Sequence, residues 1–360
     1  LVATHLRTAL VSILAIALLA WFLRGANLAD VWQHVRTARV DLLAIGLLLV
    51  GGTYWARVIR WQHLLEPIGP TRFSTVFRAT VIGFAALALL PARAGDVLRP
   101  YLVAKRERLS APATFATVVL ERVLDLVMVL ILLAVFVWGF SDASDLPPRL
   151  MRPVVASAAV ATATAVVLMV LMWLLASHPE RVGRLVFASA RILPHRFADR
   201  LAEFATRFSG GFAAARTPFS LAMALVWSLP VWLTIGAQAW FVTRAFGIDM
   251  PFTGSFLLQA LLVIGVAVPT PGGVGSFHEA YRFGVTTFFH APNDRAVAAA
   301  IVVHALSFIP VVLVGIAFMA KDGLSVHRLQ ELAGEARQQE IPHTAIGDAP
   351  PIASPLSPSE

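Results

Sequence analysis

Glu121, Arg122 and Asp125 stand in a stretch that is otherwise almost wholly apolar from Ala113 to Phe140. Glu121 and Asp125 are i,i+4 neighbours, and Arg122 and Asp125 are i,i+3. One helical face can therefore hold two carboxylates and a guanidinium within mutual reach. Near the centre of a bilayer such groups cost about 2.5–3.5 kcal/mol each on insertion scales, so they persist when paired or when they face a polar cavity. Two readings stay open: an ion-pair cluster that locks this helix to its bundle, or a site for a substrate or proton.

Three further charges, Arg93, Asp96 and Arg99, lie in and just after a break in an apolar run at Leu89-Leu90-Pro91-Ala92-Arg93-Ala94-Gly95-Asp96. Asp96 reads most simply as the N-cap of a helix restarting there. The two arginines suit bidentate contact with phosphate oxygens, with snorkelling to lipid headgroups as the plainer use. A second break, Val268-Pro269-Thr270-Pro271-Gly272-Gly273-Val274-Gly275, shares the spacing Pro-x-x-small-Gly. Gly272, Gly273 and Gly275 leave backbone N–H groups unobstructed, and Ser276 with Glu279 spells a capping box, so a helix begins there. Its N-terminus favours an anionic group at the tip. Glu279 either caps or carries protons, and His278 and His304 are read as packing residues that titrate near neutral pH when freely solvated.

Composition decides what must position these groups. Of 360 residues 58% are hydrophobic and 14% charged, with mean hydropathy +0.75, against roughly 45–50% and 25% in soluble domains. This is a polytopic membrane protein, expected to be all-α. The net charge of +8, carried by 27 Arg and 2 Lys, is read as loop charge held on the cytoplasmic side, not as nucleic-acid binding. Without cysteine there is neither a disulfide nor a thiolate metal site. No Walker loop, HExxH, nucleophile elbow or dinucleotide fingerprint occurs, so no metal, cofactor or catalytic residue is assigned and an enzyme is the less favoured class.

Six segments have the roughly 20 apolar residues of a span: 8–24, 41–60, 112–140, 151–176, 218–243 and 295–320. The run after Arg7 is read as a retained first helix rather than a signal peptide. Units 73–108 and 252–290 are too long for one span and are broken at Pro91 and Pro269. Arg57, Arg60, Arg72 and Arg78, then Lys105, Arg106 and Arg108, and seven arginines in 177–217 are assigned to the cytoplasmic side. Those signs make both broken units re-entrant hairpins that enter from opposite faces, with both termini cytoplasmic. Residues 41–140 and 218–320 then form an inverted repeat, with Pro91 and Pro269 at matching positions, since paired breaks in two halves mark a central binding site. The chain is further expected to form a transmembrane domain over 1–323, an amphipathic helical loop on the inner leaflet over 177–217, a polar helical segment over 324–340 and a disordered tail over 341–360.

At Leu90-Pro91-Ala92-Arg93-Ala94-Gly95-Asp96-Val97-Leu98-Arg99, Glu121-Arg122-Val123-Leu124-Asp125 and Pro269-Thr270-Pro271-Gly272-Gly273-Val274-Gly275 with Glu279, the chain resembles the flippase-like family that includes the transmembrane part of lysylphosphatidylglycerol synthase, the multiple peptide resistance factor. The resemblance covers most of residues 8–320. It implies a bacterial inner-membrane protein in which broken hairpins line a cavity for a lipid headgroup. Asp96 stands where many relatives carry Glu, and the roughly 40 residues after the last span are too few for the synthase's aminoacyltransferase domain. The expectation is a flippase-like transporter for a phospholipid or a polyprenyl-phosphate-linked lipid with an anionic headgroup. Arg93, Arg99 and Arg122 would hold phosphate, Glu121 and Asp125 would balance charge, and the Gly272–Gly275 tip would close the cavity. A membrane-embedded lipid-modifying enzyme and a scaffold for a separately encoded lipid synthase are the alternatives, and a homodimer stays open.

Overall fold

The computed structural model describes residues 2–90, 94–140, 148–178, 208, 210–268, 270–324 and 331. Pro91, Arg93, Pro269, the amphipathic loop expected at 177–217 over most of its length, most of the polar segment 324–340 and the tail 341–360 therefore lie outside the described residues. Every regular element described is helical. In chain order these are α1 Val2–Leu23, α2 Leu28–Thr37, α3 Val40–Leu65, α4 Phe73–Leu89, α5 Ala94–Glu107, α6 Ala111–Phe140, α7 Pro148–Ser177, α8 Pro218–Ala245, α9 Gly254–Ala267, α10 Ser276–Phe288 and α11 Asn293–Lys321. Short 3-10 turns occupy Ala213–Ala215 and Pro271–Gly273.

Among the described residues α3, α8 from Leu221 onward and α11 are long and apolar enough to cross a bilayer. Ile13–Leu23 and Leu28–Thr37 qualify jointly as a pair bent by 81°. At 1.5 Å per residue, the 30 residues of α6 and of α7 give about 45 Å each, more than the hydrocarbon thickness of about 30 Å. Large apolar side chains face outward, Leu48 at 76% and Trp138 at 75% exposure among them, as lipid-facing surfaces do. The bend between α1 and α2 falls at Gly25, whose φ of 77° suits glycine. Asn27 then caps α2, its side chain accepting from the Ala29 N–H at 3.0 Å, and Asp30 sits in the first turn. These local signals give a helix where the sequence reading had only a connection.

Both breaks separate antiparallel helices. In α4 and α5, Gly83 lies against Arg99 and Gly95, and a Cβ on Gly95 would meet the Gly83 carbonyl oxygen at 2.0 Å. In α9 and α10, Gly265 lies against Ser276 and Ala280 while Gly284 lies against Leu258 and Leu261. Glycine is needed at these crossings because the backbones touch.

The packing of the two halves follows one scheme. α3 runs antiparallel to α8, with Gly46 beside Val242, Thr53 hydrogen-bonded to Thr234 at 2.9 Å and Arg60 to Ser228 at 3.2 Å. α5 packs on α6 as α10 packs on α11, and α4 packs on α11 as α9 packs on α6. α7 leans on α6, while α1 and α2 lean on α10 and α11. One apolar core forms around α3 to α6, a second around α8 to α11, and a third joins Met128, Leu132 and Phe136 of α6 to Val231, Trp232 and Phe256.

Candidate functional site

Where the halves meet, the helices enclose a cavity of about 450 Å³. Its walls are stripes at helical spacing. α3 gives Val50, Thr53, Tyr54 and Arg57; α6 gives Arg122, Asp125, Leu126 and Val129; α8 gives Trp232, Ile235 and Gln238; α9 gives Gln259, Leu262 and Val266. Phe84 of α4, Phe277 of α10 and Ser307 and Phe308 of α11 complete them, with Thr270, Gly272 and Gly273 from the second break. Helices of both halves and the second break thus share one pocket.

Behind one wall lies an ion network. Arg99, 2% exposed, donates from Nη1 and Nη2 to the two carboxylate oxygens of Glu121 at 2.9 and 3.0 Å. Its guanidinium also lies 3.8 Å from the centre of the Trp61 ring. Arg60, fully buried, reaches Glu121 at 3.2 Å and Asp125 at 2.6 Å. Asp125 accepts in addition from the indole N–H of Trp232 at 2.9 Å and lies 3.6 Å from Arg122. Arg122 also contacts Asp96 at 3.3 Å. Four guanidiniums, Arg57, Arg60, Arg99 and Arg122, thus face three carboxylates, Asp96, Glu121 and Asp125, which leaves this region with a positive balance.

The excess centres on Arg57. Its guanidinium lies 5.2 Å from the Phe84 ring centre and its buried Nη1 has no hydrogen-bond partner among the described residues. A guanidinium with an unsatisfied donor on a cavity wall favours an anion, because the ligand relieves the unsatisfied donor as well as the charge.

Several sequence-based assignments change in detail. Charge counting puts Arg57 and Arg60 on a cytoplasmic flank, yet α3 continues to Leu65, with Arg60 fully buried and Arg57 on the cavity wall. The signal was available: Val58-Ile59 and Leu64-Leu65 keep the run apolar beyond the arginines. Arg99 is consumed by Glu121 instead of standing open to phosphate. Asp96 lies in the first turn of α5, which starts at Ala94, so it favours the helix dipole without being the N-cap. α10 does begin at Ser276, but its N-cap is Gly275, whose N–H donates to His278 Nδ1 at 3.3 Å. Gly273 N–H donates to the Thr270 carbonyl at 3.1 Å. Two donors proposed for an anion are therefore already occupied.

Glu279 lies apart from the cavity lining. It forms a two-pronged pair with Arg282 at 2.6 and 2.8 Å, and Arg282 donates onward to Asn293 at 3.0 Å. His304 Nε2 instead braces the second break by contacting the Gly272 carbonyl oxygen at 2.8 Å, with its ring stacked on Phe308 and 4.4 Å from that of His278. Gln238 and Gln259, uncharged and outside every motif, both line the cavity. Among the described residues no group of three His, Asp or Glu side chains is arranged to hold a metal ion.

Residues 8–315 match the family described as the lysylphosphatidylglycerol synthase transmembrane region. The chain belongs to that family. It is also 26% identical over 308 residues to a protein of Haloferax volcanii named glycosyltransferase AglD, an alignment covering 79% of this chain and 49% of that one. The chain spans about half the length of this curated relative.

Proposed function

We propose that this member of the lysylphosphatidylglycerol synthase transmembrane family is a flippase-like transporter that moves a lipid with a phosphate headgroup between leaflets. The observation that carries the proposal is Arg57, a guanidinium with an unsatisfied donor on the wall of a cavity built from both halves. Arg122 is its companion, held by two contacts longer than 3.2 Å. Arg60 and Arg99 neutralise Glu121 and Asp125 and so fix the wall from which Arg57 and Arg122 act.

In this reading the protein has six full spans and two re-entrant hairpins, α4–α5 and α9–α10, in an inverted repeat. It lies in a bacterial inner membrane with both ends of the chain cytoplasmic. The antiparallel course of α3 and α8 and the mirrored packing of α4 on α11 and α9 on α6 support the repeat. Motion of one repeat against the other would expose the cavity alternately to each leaflet. Reconstituted into vesicles with a fluorescent phospholipid or a polyprenyl phosphate, the unaltered protein accelerates movement between leaflets, and Arg57→Met abolishes it. Unchanged movement in both Arg57→Met and Arg122→Ala would overturn the proposal.

The relative named a glycosyltransferase favours a second reading, in which this membrane unit presents a lipid to a separately encoded transferase. Copurification of such an enzyme, without lipid movement by the unit alone, would support it.

A further inference from the structure

We infer that the cavity holds, beyond its anion site, a subsite for a neutral, polyhydroxylated headgroup such as a sugar, with Gln238 and Gln259 as its hydrogen-bonding residues. This deepens the reading of Arg57 as a phosphate ligand and rests on it. Gln238 is 4% exposed and Gln259 1%, and both line the cavity. Nε2 of Gln238 and both side-chain polar atoms of Gln259 are buried without a hydrogen-bond partner among the described residues. Native interiors rarely leave such groups unpaired, so a cluster of them on a cavity wall marks where a polar ligand supplies the partners. An amide both donates and accepts, which matches a hydroxyl that does the same. Thr270 and Ser307, whose hydroxyls are bonded to the Ser276 hydroxyl and the Val303 carbonyl, also line it, as do Tyr54, Trp232, Phe277 and Phe308, aromatic residues of the type that packs on the C–H face of a sugar ring.

Spacing separates the two subsites. The antiparallel register of α3 and α8, set by Gly46 with Val242, Thr53 with Thr234 and Arg60 with Ser228, brings Gln238 level with Val50. That is seven residues from Arg57, or about 10 Å along the helix axis, a separation suited to a phosphate with one sugar attached. Charge selects against the other common headgroups. Asp125 is the carboxylate of the described lining, and it is already held by Arg60 and Trp232. An ammonium-bearing headgroup would find no free counter-ion and would meet Arg57 and Arg122.

Binding by the purified full chain tests this, using short-chain phosphatidic acid, phosphatidylglycerol, lysyl-phosphatidylglycerol, a short polyprenyl hexosyl phosphate and soluble glucose 1-phosphate. The unaltered protein should bind the hexosyl lipid about tenfold or more tighter than phosphatidic acid, a difference within reach of two good hydrogen bonds. Gln238→Met or Gln259→Met should erase that preference, lowering hexosyl-lipid affinity to the level of phosphatidic acid. Tightest binding of lysyl-phosphatidylglycerol, no preference among the probes, or equal loss for all probes in the glutamine variants would overturn the inference. The ranking on the unaltered protein decides the matter even where a variant does not fold. Arg57→Met separates this outcome from the parent reading: if it weakens no probe, the phosphate site fails whatever the glutamines do. If soluble glucose 1-phosphate binds as tightly as the hexosyl lipid, the sugar subsite stands and the lipid reading falls.

Discussion

The distance of 178 residues from Pro91 to Pro269 also carries Arg60 onto Gln238, Arg99 onto Phe277, Glu121 onto Ala299 and Asp125 onto Val303. The first half thus builds a buried ion network where the second places an amide, an aromatic ring and two small apolar residues. Yet α10 packs on α11 as α5 packs on α6. At the positions that match the network these contacts form without charge, the charged bond across that interface running from Arg282 to Asn293 elsewhere, so charge at those positions is not what the contacts require. Well-packed apolar residues often replace a buried ion pair without loss of stability, whereas removing one partner alone is strongly destabilising. The network in the first half is therefore best explained by what it does at the cavity wall, where it fixes Asp125 and surrounds Arg57 with balanced charge.

The largest expected effect comes from breaking that balance. Glu121→Ala leaves Arg99 and Arg60 without their shared carboxylate and should cost about 3–5 kcal/mol, read as a lowered thermal midpoint in detergent. Importing the second half's residues together, as Arg60→Gln, Arg99→Phe, Glu121→Ala and Asp125→Val, should recover much of that stability while lipid movement stays lost. If the combined variant is less stable than Glu121→Ala, the comparison between the halves fails.

Next in size are the glycine crossings, where both halves should respond alike. Gly83→Ala, whose new Cβ would lie 2.7 Å from that of Arg99, and Gly265→Ala, 2.9 Å from Ser276 O and Ala280 Cβ, should each cost about 1–3 kcal/mol by overpacking. Gly51→Ala on α3 meets nothing within 4 Å and should stabilise by about 0.5–1 kcal/mol through helix preference. Equal thermal midpoints for all three variants would show that the hairpins do not pack this closely. Smaller still, Thr53→Val removes one hydrogen bond between α3 and α8 and should cost about 0.5–1.5 kcal/mol. At the bottom of the scale, Asp41→Asn removes an ion pair whose side chains are 66% and 60% exposed, and the thermal midpoint should not move.

Much of this was legible in the amino-acid order because apolar runs and their interruptions report directly on helices. The two breaks, the ends of α4 and α9, and the start of α10 at Ser276 follow from Pro and Gly chemistry, and the grouping of Glu121, Arg122 and Asp125 follows from helical spacing. What spacing along one helix cannot reveal is which charge meets which across helices. Arg99 and Arg60 lie 22 and 61 residues from Glu121, so their pairing needed the fold. Arg57 was hidden for a different reason: charge counting assigns every arginine near a span's end to a loop, although the apolar run extends past it. Gln238 and Gln259 carry no charge and so leave no mark on that count, and Glu279, whose spacing from Ser276 spells a cap, spends its carboxylate on Arg282 three residues on.

Lipid mass spectrometry on the purified protein, unaltered and with Arg57→Met, tests the central claim most directly. A phosphate-bearing lipid retained by the unaltered chain and lost from the variant, at equal thermal stability, is the predicted result. Equal retention of the same lipid by both, or retention only of lipids without a phosphate, would contradict it.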